Sequence, residues 1–323
     1  MEGVMPRFYL FGFDTLANIE LTTSMAEAPS SAAPELSFSC LPADSAGRQG
    51  CTGNVLYLSK RLNGSGESRV QLFEESGTTW LMRFPGIADF FLRPGEIECR
   101  LVDPALAFMV NVLLLGHVMA CYLERQGILA LHAGALAVGD HAVLLAGHKG
   151  AGKSTLVTSM VTAGFPLMAD DIAAVEARDG SVPCRSAFPQ LKLTPEQLGC
   201  FMTDGGESYP RFHPGFTKLS VPVVDLGAFD LGPRPVGAIY LLERESCDVP
   251  VIERLPPARA VVELARHSFL GHMLERTSLQ RERFAHLARL AQAVPVKRLR
   301  YPNSFDHLAD VHAAIARDQK AGT

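Results

Sequence analysis

The residues best suited to chemistry are Gly147, His148, Lys149, Gly150, Ala151, Gly152, Lys153 and Ser154, which satisfy the phosphate-binding (Walker A) pattern GxxxxGK[ST] and are followed by Thr155. Glycines at these spacings let backbone N–H groups turn inward around a polyphosphate, and a helix beginning at Lys153 adds its partial positive end. Lys153 then reaches the β- and γ-phosphates of ATP, and Ser154 ligates Mg2+. Asp170 and Asp171 follow Lys153 by 17 and 18 residues, just after the apolar run FPLM. A carboxylate at a strand end beside such a loop can ligate Mg2+ or accept a proton from an incoming hydroxyl. Asp171 is assigned to the metal together with Ser154. Which aspartate is the base stays open, but neighbours on an extended chain point in opposite directions and so do different jobs. His132 lies on the strand before the loop. It is set back from the Gly139-Asp140 turn as far as Gly147 is on the other side, so the two are expected to be neighbours.

These groups need elements to hold them. Ile128–Val138 and His141–Ala146 are apolar strands joined by Gly139-Asp140, a tight hairpin signal. A helix over Lys153–Ala163 closes at Gly164, and strands at Phe165–Met168 and Ile172–Val175 flank the two aspartates. Further on, Met202–Phe216 reads as a mobile loop, Val236–Glu243 as a buried strand, Pro257–Leu274 and Ser278–Ala293 as amphipathic helices, Val294–Arg300 as a strand and Ser304–Asp318 as a last helix. The front of the chain is β-rich, with strands expected at Phe8–Phe13, Asn54–Ser59, Arg69–Phe73, Thr79–Phe84, Asp89–Arg93 and Glu96–Val102. Ser24–Pro34 and Ala43–Gly53 read as loops. The division is a β-rich region over 1–103 and a phosphate-loop domain over 104–323.

Composition narrows the classes. The 323 residues carry a net charge of -4, with 47% hydrophobic and 20% charged residues, an ordinary globular mix. No Lys/Arg run offers a patch for nucleic acid, so no nucleic-acid partner is expected. Seven scattered cysteines without a CxxC, and a start that is not a signal peptide, point to a reduced, cytoplasmic setting. Ala105–Leu123 is nearly long enough to cross a membrane. Asp103-Pro104 before it, Glu124-Arg125 after it and the lack of a positive flank favour a buried helix, so no membrane span is expected.

Leu131–Val175, LHAGALAVGDHAVLLAGHKGAGKSTLVTSMVTAGFPLMADDIAAV, resembles the kinase domain of the HPr kinase/phosphorylase family, which phosphorylates a serine on a small carrier protein. The resemblance implies an α/β fold with a phosphoenolpyruvate carboxykinase-like P-loop core behind the β-rich N-terminal region. It also implies that His132, Lys153 and one of Asp170 or Asp171 form the catalytic group. The family's second signature, which serves its phosphorylase reaction, has no counterpart in residues 176–200. Glu196, in TPEQL, is explained there by helix capping. More diffusely, FFLRPGEIECRL, PQLKL and GAIYLLER resemble the HPr-kinase-like kinases of lasso-peptide and related ribosomal peptide clusters. The expected activity is transfer of the γ-phosphoryl group of ATP, with Mg2+, to a Ser/Thr-type hydroxyl of a peptide or small protein such as a lasso-peptide precursor. The alternatives are a nucleotide-binding regulatory protein without transfer and a small-molecule kinase. Lys192 and Lys218 are candidates for binding the acceptor or the transferred group, or are solvated surface lysines. Homo-oligomerisation is left open.

Overall fold

The computed structural model describes residues 5–21, 23, 25–29, 33–42, 53–177, 180–202, 209–213 and 215–321. Most of the loop expected at Ala43–Gly53, and the middle of the one at Met202–Phe216, lie outside these residues. The front of the chain forms a mixed sheet with strand order Ala26–Glu27, Arg7–Leu10, Phe13–Ala17, Leu36–Leu41, Glu96–Leu101, Ala88–Arg93, Thr79–Phe84, Gln71–Ser76 and Asn54–Leu58. Leu36–Leu41 runs parallel to both its neighbours, and the remaining pairs are antiparallel. Alternation of buried and half-buried residues along Ala88–Arg93 and Glu96–Leu101 shows one face turned to the core.

The strand expected over Phe8–Phe13 is instead a hairpin. Its turn is Phe11-Gly12, with φ of 49° and 72°, the two-residue geometry in which both central residues are left-handed. Phe11 carries no local signal for that conformation. Its fully buried ring packs edge-on against Phe188 at 5.9 Å, and its N–H donates to Ala187 O at 3.1 Å, so tertiary packing sustains the turn.

Behind this sheet lies the apolar segment. It is capped by Asp103, whose carboxylate accepts the Ala105 N–H at 2.9 Å, but it is not one smooth helix. Phe108–Leu113 and Met119–Arg125 are α-helical, and a π-type turn at Leu114–Val118 joins them around the non-helical Gly116. The segment is mostly buried. Towards the front sheet, Tyr122 OH receives the Gly95 N–H at 3.1 Å and the Arg125 guanidinium stacks over Trp80 at 5.0 Å. On the other side it packs on Leu129–Leu131 and its neighbours.

The second mixed sheet runs in the order Leu129–Leu131, Ala173–Val175, Pro183–Arg185, Arg234–Glu245, His141–Ala146, Ala133–Val138 and Leu167–Ala169. Val296–Pro302 also pairs with Arg234–Glu245, and Val251–Arg254 pairs with Val296–Pro302. His141–Ala146, Arg234–Glu245 and Val296–Pro302 are mutually parallel along that run, so their carboxyl ends share one edge. The strand expected over Ile128–Val138 is broken at His132, which leaves Leu129–Leu131 and Ala133–Val138 to pair with different partners. The helix expected over Pro257–Leu274 stops at Arg266 and resumes only as a short turn at Gly271–Leu274. Gln280–Ala293 and Leu308–Ala321 complete the helices, and the protein is a mixed α/β molecule built on two large sheets.

Candidate active site

The loop between His141–Ala146 and the helix Lys153–Thr162 is built as its sequence demands. Gly150 and Gly152 have φ of 90° and 88°, a region closed to most side chains. Gly152 has a second reason to be glycine: a Cβ there would lie 2.5 Å from Tyr301 OH and would run into the Arg244 guanidinium. The wall is fixed by Tyr301, whose hydroxyl donates to Ala151 O at 2.6 Å, and by the Ala151 N–H, which donates to His148 O at 2.9 Å. His148, Lys149 and Gly150 are exposed at the rim, whereas Gly147, Lys153 and Thr155 are buried. Thr155 Oγ1 accepts from Gln197 Nε2 at 3.3 Å. Gln197 is itself held in a capping box with Thr194, and Glu196 lies in that helix's first turn, exposed.

Lys153, only 8% exposed, points from the loop towards the aspartates. Its ammonium pairs with Asp171 Oδ1 at 2.9 Å and reaches Asp170 O at 3.4 Å. Lys192 approaches the other oxygen of Asp171 at 3.4 Å, while its ammonium sits over the Phe212 ring at 4.3 Å. Lys218 Nζ donates to Ser154 Oγ at 3.3 Å. Lys192 and Lys218 therefore belong to the site and not to the general surface. Arg185, the other cation of that stretch, does not: it pairs with Glu176 and stacks over Phe13 at 4.6 Å, closing the seam between the two sheets.

The two aspartates sit in different surroundings. Asp171 has a half-open side chain, 23% exposed. Burial opposes its ionisation, but Lys153 and Lys192 outweigh burial and hold its carboxyl well below the usual carboxylate range. Asp170 is 5% exposed, and burial together with the neighbouring Asp171 charge pushes its carboxyl up. One of its oxygens accepts the Lys192 N–H at 3.0 Å, and Oδ1 is buried without a hydrogen-bond partner among the described residues. A buried orphan oxygen, an aspartate opposite a loop lysine and the Ser154 hydroxyl make an all-oxygen donor set. That set fits Mg2+, which takes one or two protein carboxylates and completes its shell with phosphate and water. No group of three or more His, Cys, Asp or Glu able to hold a metal occurs among the described residues, so a protein cage for a transition metal is not what this site offers.

His132 stands where the hairpin arithmetic puts it. Ala133 pairs with Ala146, so His132 comes next to Gly147, and its Nδ1 lies 3.1 Å from Asp171 O. Burial, then the Lys153 charge, pushes its imidazole pKa down, which favours the neutral ring. The segment after Arg266 positions it, where the amphipathic pattern predicts a continuous helix. His267 O receives the His132 N–H at 2.6 Å, and Ser268 bridges to Leu131. Phe269 lies 5.7 Å from the His132 ring and 5.7 Å from the His117 ring, and the His267 ring lies tilted 4.9 Å from that of His148 at the loop rim. The break at His267 was invisible in an amphipathic pattern. His117 could have been found, since it is one of only two strongly polar residues in the apolar segment.

No family model and no curated protein matches the chain. Among solved structures it is similar to the Hpr(Ser) kinase/phosphatase from Coxiella burnetii, with 13% identity over 59% of this chain and 97% of that one, at a TM-score of 0.33. That likeness marks a distant structural relationship and nothing more.

Proposed function

We propose that the protein is an ATP-dependent kinase that transfers the γ-phosphoryl group to a Ser/Thr-type hydroxyl of a peptide or small protein, on an HPr kinase/phosphoenolpyruvate carboxykinase-like P-loop core. The lasso-peptide precursors are the first acceptor class to test. The observation that carries the reading is the Lys153–Asp171 ion pair at 2.9 Å, which joins a GxxxxGK[ST] loop at a helix N-terminus to a half-open carboxylate. A protein that only binds nucleotide gains nothing from a carboxylate at that position, whereas phosphoryl transfer uses one.

In this reading the loop N–H groups and Lys153 bind the β- and γ-phosphates of the substrate ATP, and Lys153 exchanges its Asp171 partner for phosphate oxygens. Asp171, freed from that pair and still facing the opening, orients the acceptor hydroxyl and takes its proton as the new O–P bond forms. The bond from the γ-phosphorus to the β–γ bridging oxygen breaks, and ADP leaves with that oxygen. Ser154 and an aspartate oxygen would hold Mg2+, whose chemistry is neutralisation of phosphate charge. Lys192 and Lys218 face the same space and add positive charge where the transferring group is most negative. Neutral His132, tied to the Asp171 carbonyl, positions the aspartate segment. Asp170 fixes the Lys192 backbone through one oxygen and would offer the other, orphaned one to the metal.

The test is incubation with γ-labelled ATP, Mg2+ and a candidate peptide, followed by mass mapping of the phosphosite. Label on a hydroxyl side chain, lost in Lys153→Ala, is the expected result. Undiminished transfer by purified Lys153→Ala would overturn the proposal.

A further inference from the structure

Resting on that reading, we propose that the nucleoside end of the bound nucleotide lies against the Phe201–Phe305 pair, with Arg244 contacting the phosphate next to the sugar. The argument is directional. In the sheet, the strand that feeds the loop, His141–Ala146, is flanked on one side by Ala133–Val138 and Leu167–Ala169, which lead to His132 and to Asp170-Asp171. On its other side stand Arg234–Glu245 and Val296–Pro302, both parallel to it, so their last residues reach the loop from the opposite wall. Ligands of such sheets bind outside the carboxyl ends of the strands. With the reacting phosphate held at the Lys153–Asp171 side, the far end of a linear triphosphate leaves over the opposite wall.

That wall presents the groups a nucleoside needs. Arg244 packs against Gly152 and Tyr301, and its Nη1 donates to Asn303 Oδ1 at 3.0 Å, so the guanidinium is fixed at the loop rim while the residue stays exposed. A fixed guanidinium suits a phosphate oxygen. Two residues beyond Asn303, the Phe305 ring is 50% exposed and lies 6.2 Å from that of Phe201. Phe201 ends the stretch that begins with the Gln197–Thr155 hydrogen bond. The aromatic pair is thus tied to the loop from two directions, through Gln197 on Thr155 and through Arg244 beside Gly152. Aromatic faces hold bases by stacking, and an exposed aromatic at this position otherwise costs apolar hydration.

The experiment compares affinity for ATP with affinity for inorganic tripolyphosphate, which has the phosphates and no nucleoside. Phe305→Ala is expected to weaken ATP about tenfold and leave tripolyphosphate within about twofold. Lys153→Ala should weaken both. The chain has a single tryptophan, Trp80, which is buried in the front sheet. Phe305→Trp therefore adds a reporter whose fluorescence ATP should quench and tripolyphosphate should not. Equal effects of Phe305→Ala on both ligands, or none on either, together with fluorescence of the Phe305→Trp variant that ATP does not quench, would overturn this site and leave the kinase proposal standing. Failure of the parent protein to bind either ligand would overturn the kinase proposal and this inference with it.

Discussion

At the scale of single residues, the chain buries Asp170 and leaves Asp171 half-open, and in the proposed kinase the two divide the work. Asp171→Asn removes the proposed base and one partner of Lys153. Turnover should fall by about 10²–10⁴-fold, while ATP affinity changes little because the loop holds the nucleotide. Asp170→Asn should instead be felt in stability and in the Lys192 segment. Single-turnover rates and nucleotide titrations of both variants check this, and parental turnover in Asp171→Asn would refute the assignment. His267 gives a pH prediction. Burial and the adjacent His148 push its imidazole down to about 4 from 6.5, with His132 and Arg266 also disfavouring the charged form and Glu263 favouring it. The unfolded chain then binds a proton that the folded protein excludes, so stability is lost as pH falls from about 6.5 towards about 4. His267→Gln should flatten the dependence of Tm on pH over that interval. An unchanged slope would mean that another group controls it.

At the scale of elements, the apolar helix is fastened at its end by a buried ion pair. Glu124 is buried, accepts the Ala130 N–H at 3.1 Å and pairs with Arg283 Nε at 3.1 Å, linking Met119–Arg125 to Gln280–Ala293. Burial pushes the Glu124 carboxyl up even so, and Arg283 pulls it down. Removing one partner leaves an uncompensated charge, so Arg283→Met should cost about 3–5 kcal/mol. Adding Glu124→Gln to it should recover part of that loss, which denaturant titration of the single and double variants would show. A double variant no more stable than Arg283→Met would contradict the pairing argument. The π-type turn in the same helix sets His117 between Phe84, at 6.3 Å, and Phe269, at 5.7 Å. Such turns are frequent at functional sites.

At the scale of the whole molecule, one continuous apolar cluster runs from Phe8 in the front sheet, through the helix that follows Asp103, to Val296 in the second sheet. The cluster crosses the proposed boundary between residues 1–103 and 104–323. Neither part can unfold without exposing apolar surface of the other. Calorimetry should show a single transition for the full chain, with calorimetric and van't Hoff enthalpies in agreement. Two resolved transitions would establish two independent folding units.

The sequence by itself determined the geometry of the glycine-rich loop, its hairpin, the place of the aspartate pair beside it and the neighbourhood of His132. All of these depend on local spacing: glycine at left-handed φ, a two-residue turn, and a register counted from that turn. It also determined that the apolar segment finds its partners inside the protein, since its caps and flanks are local too. Only the tertiary structure decided what local spacing does not encode. The left-handed Phe11, the break of the second strand at His132 and the helix stop at His267 each oppose a local pattern, and packing or hydrogen bonds between distant segments override it. The same holds for the lysines. Nothing in PQLKL or FTKLS distinguishes Lys192 and Lys218 from solvated residues, because their placement arises from two strands, Gln190–Leu193 and Leu219–Pro222, that pair with each other and bring one ammonium to Asp171 and the other to Ser154.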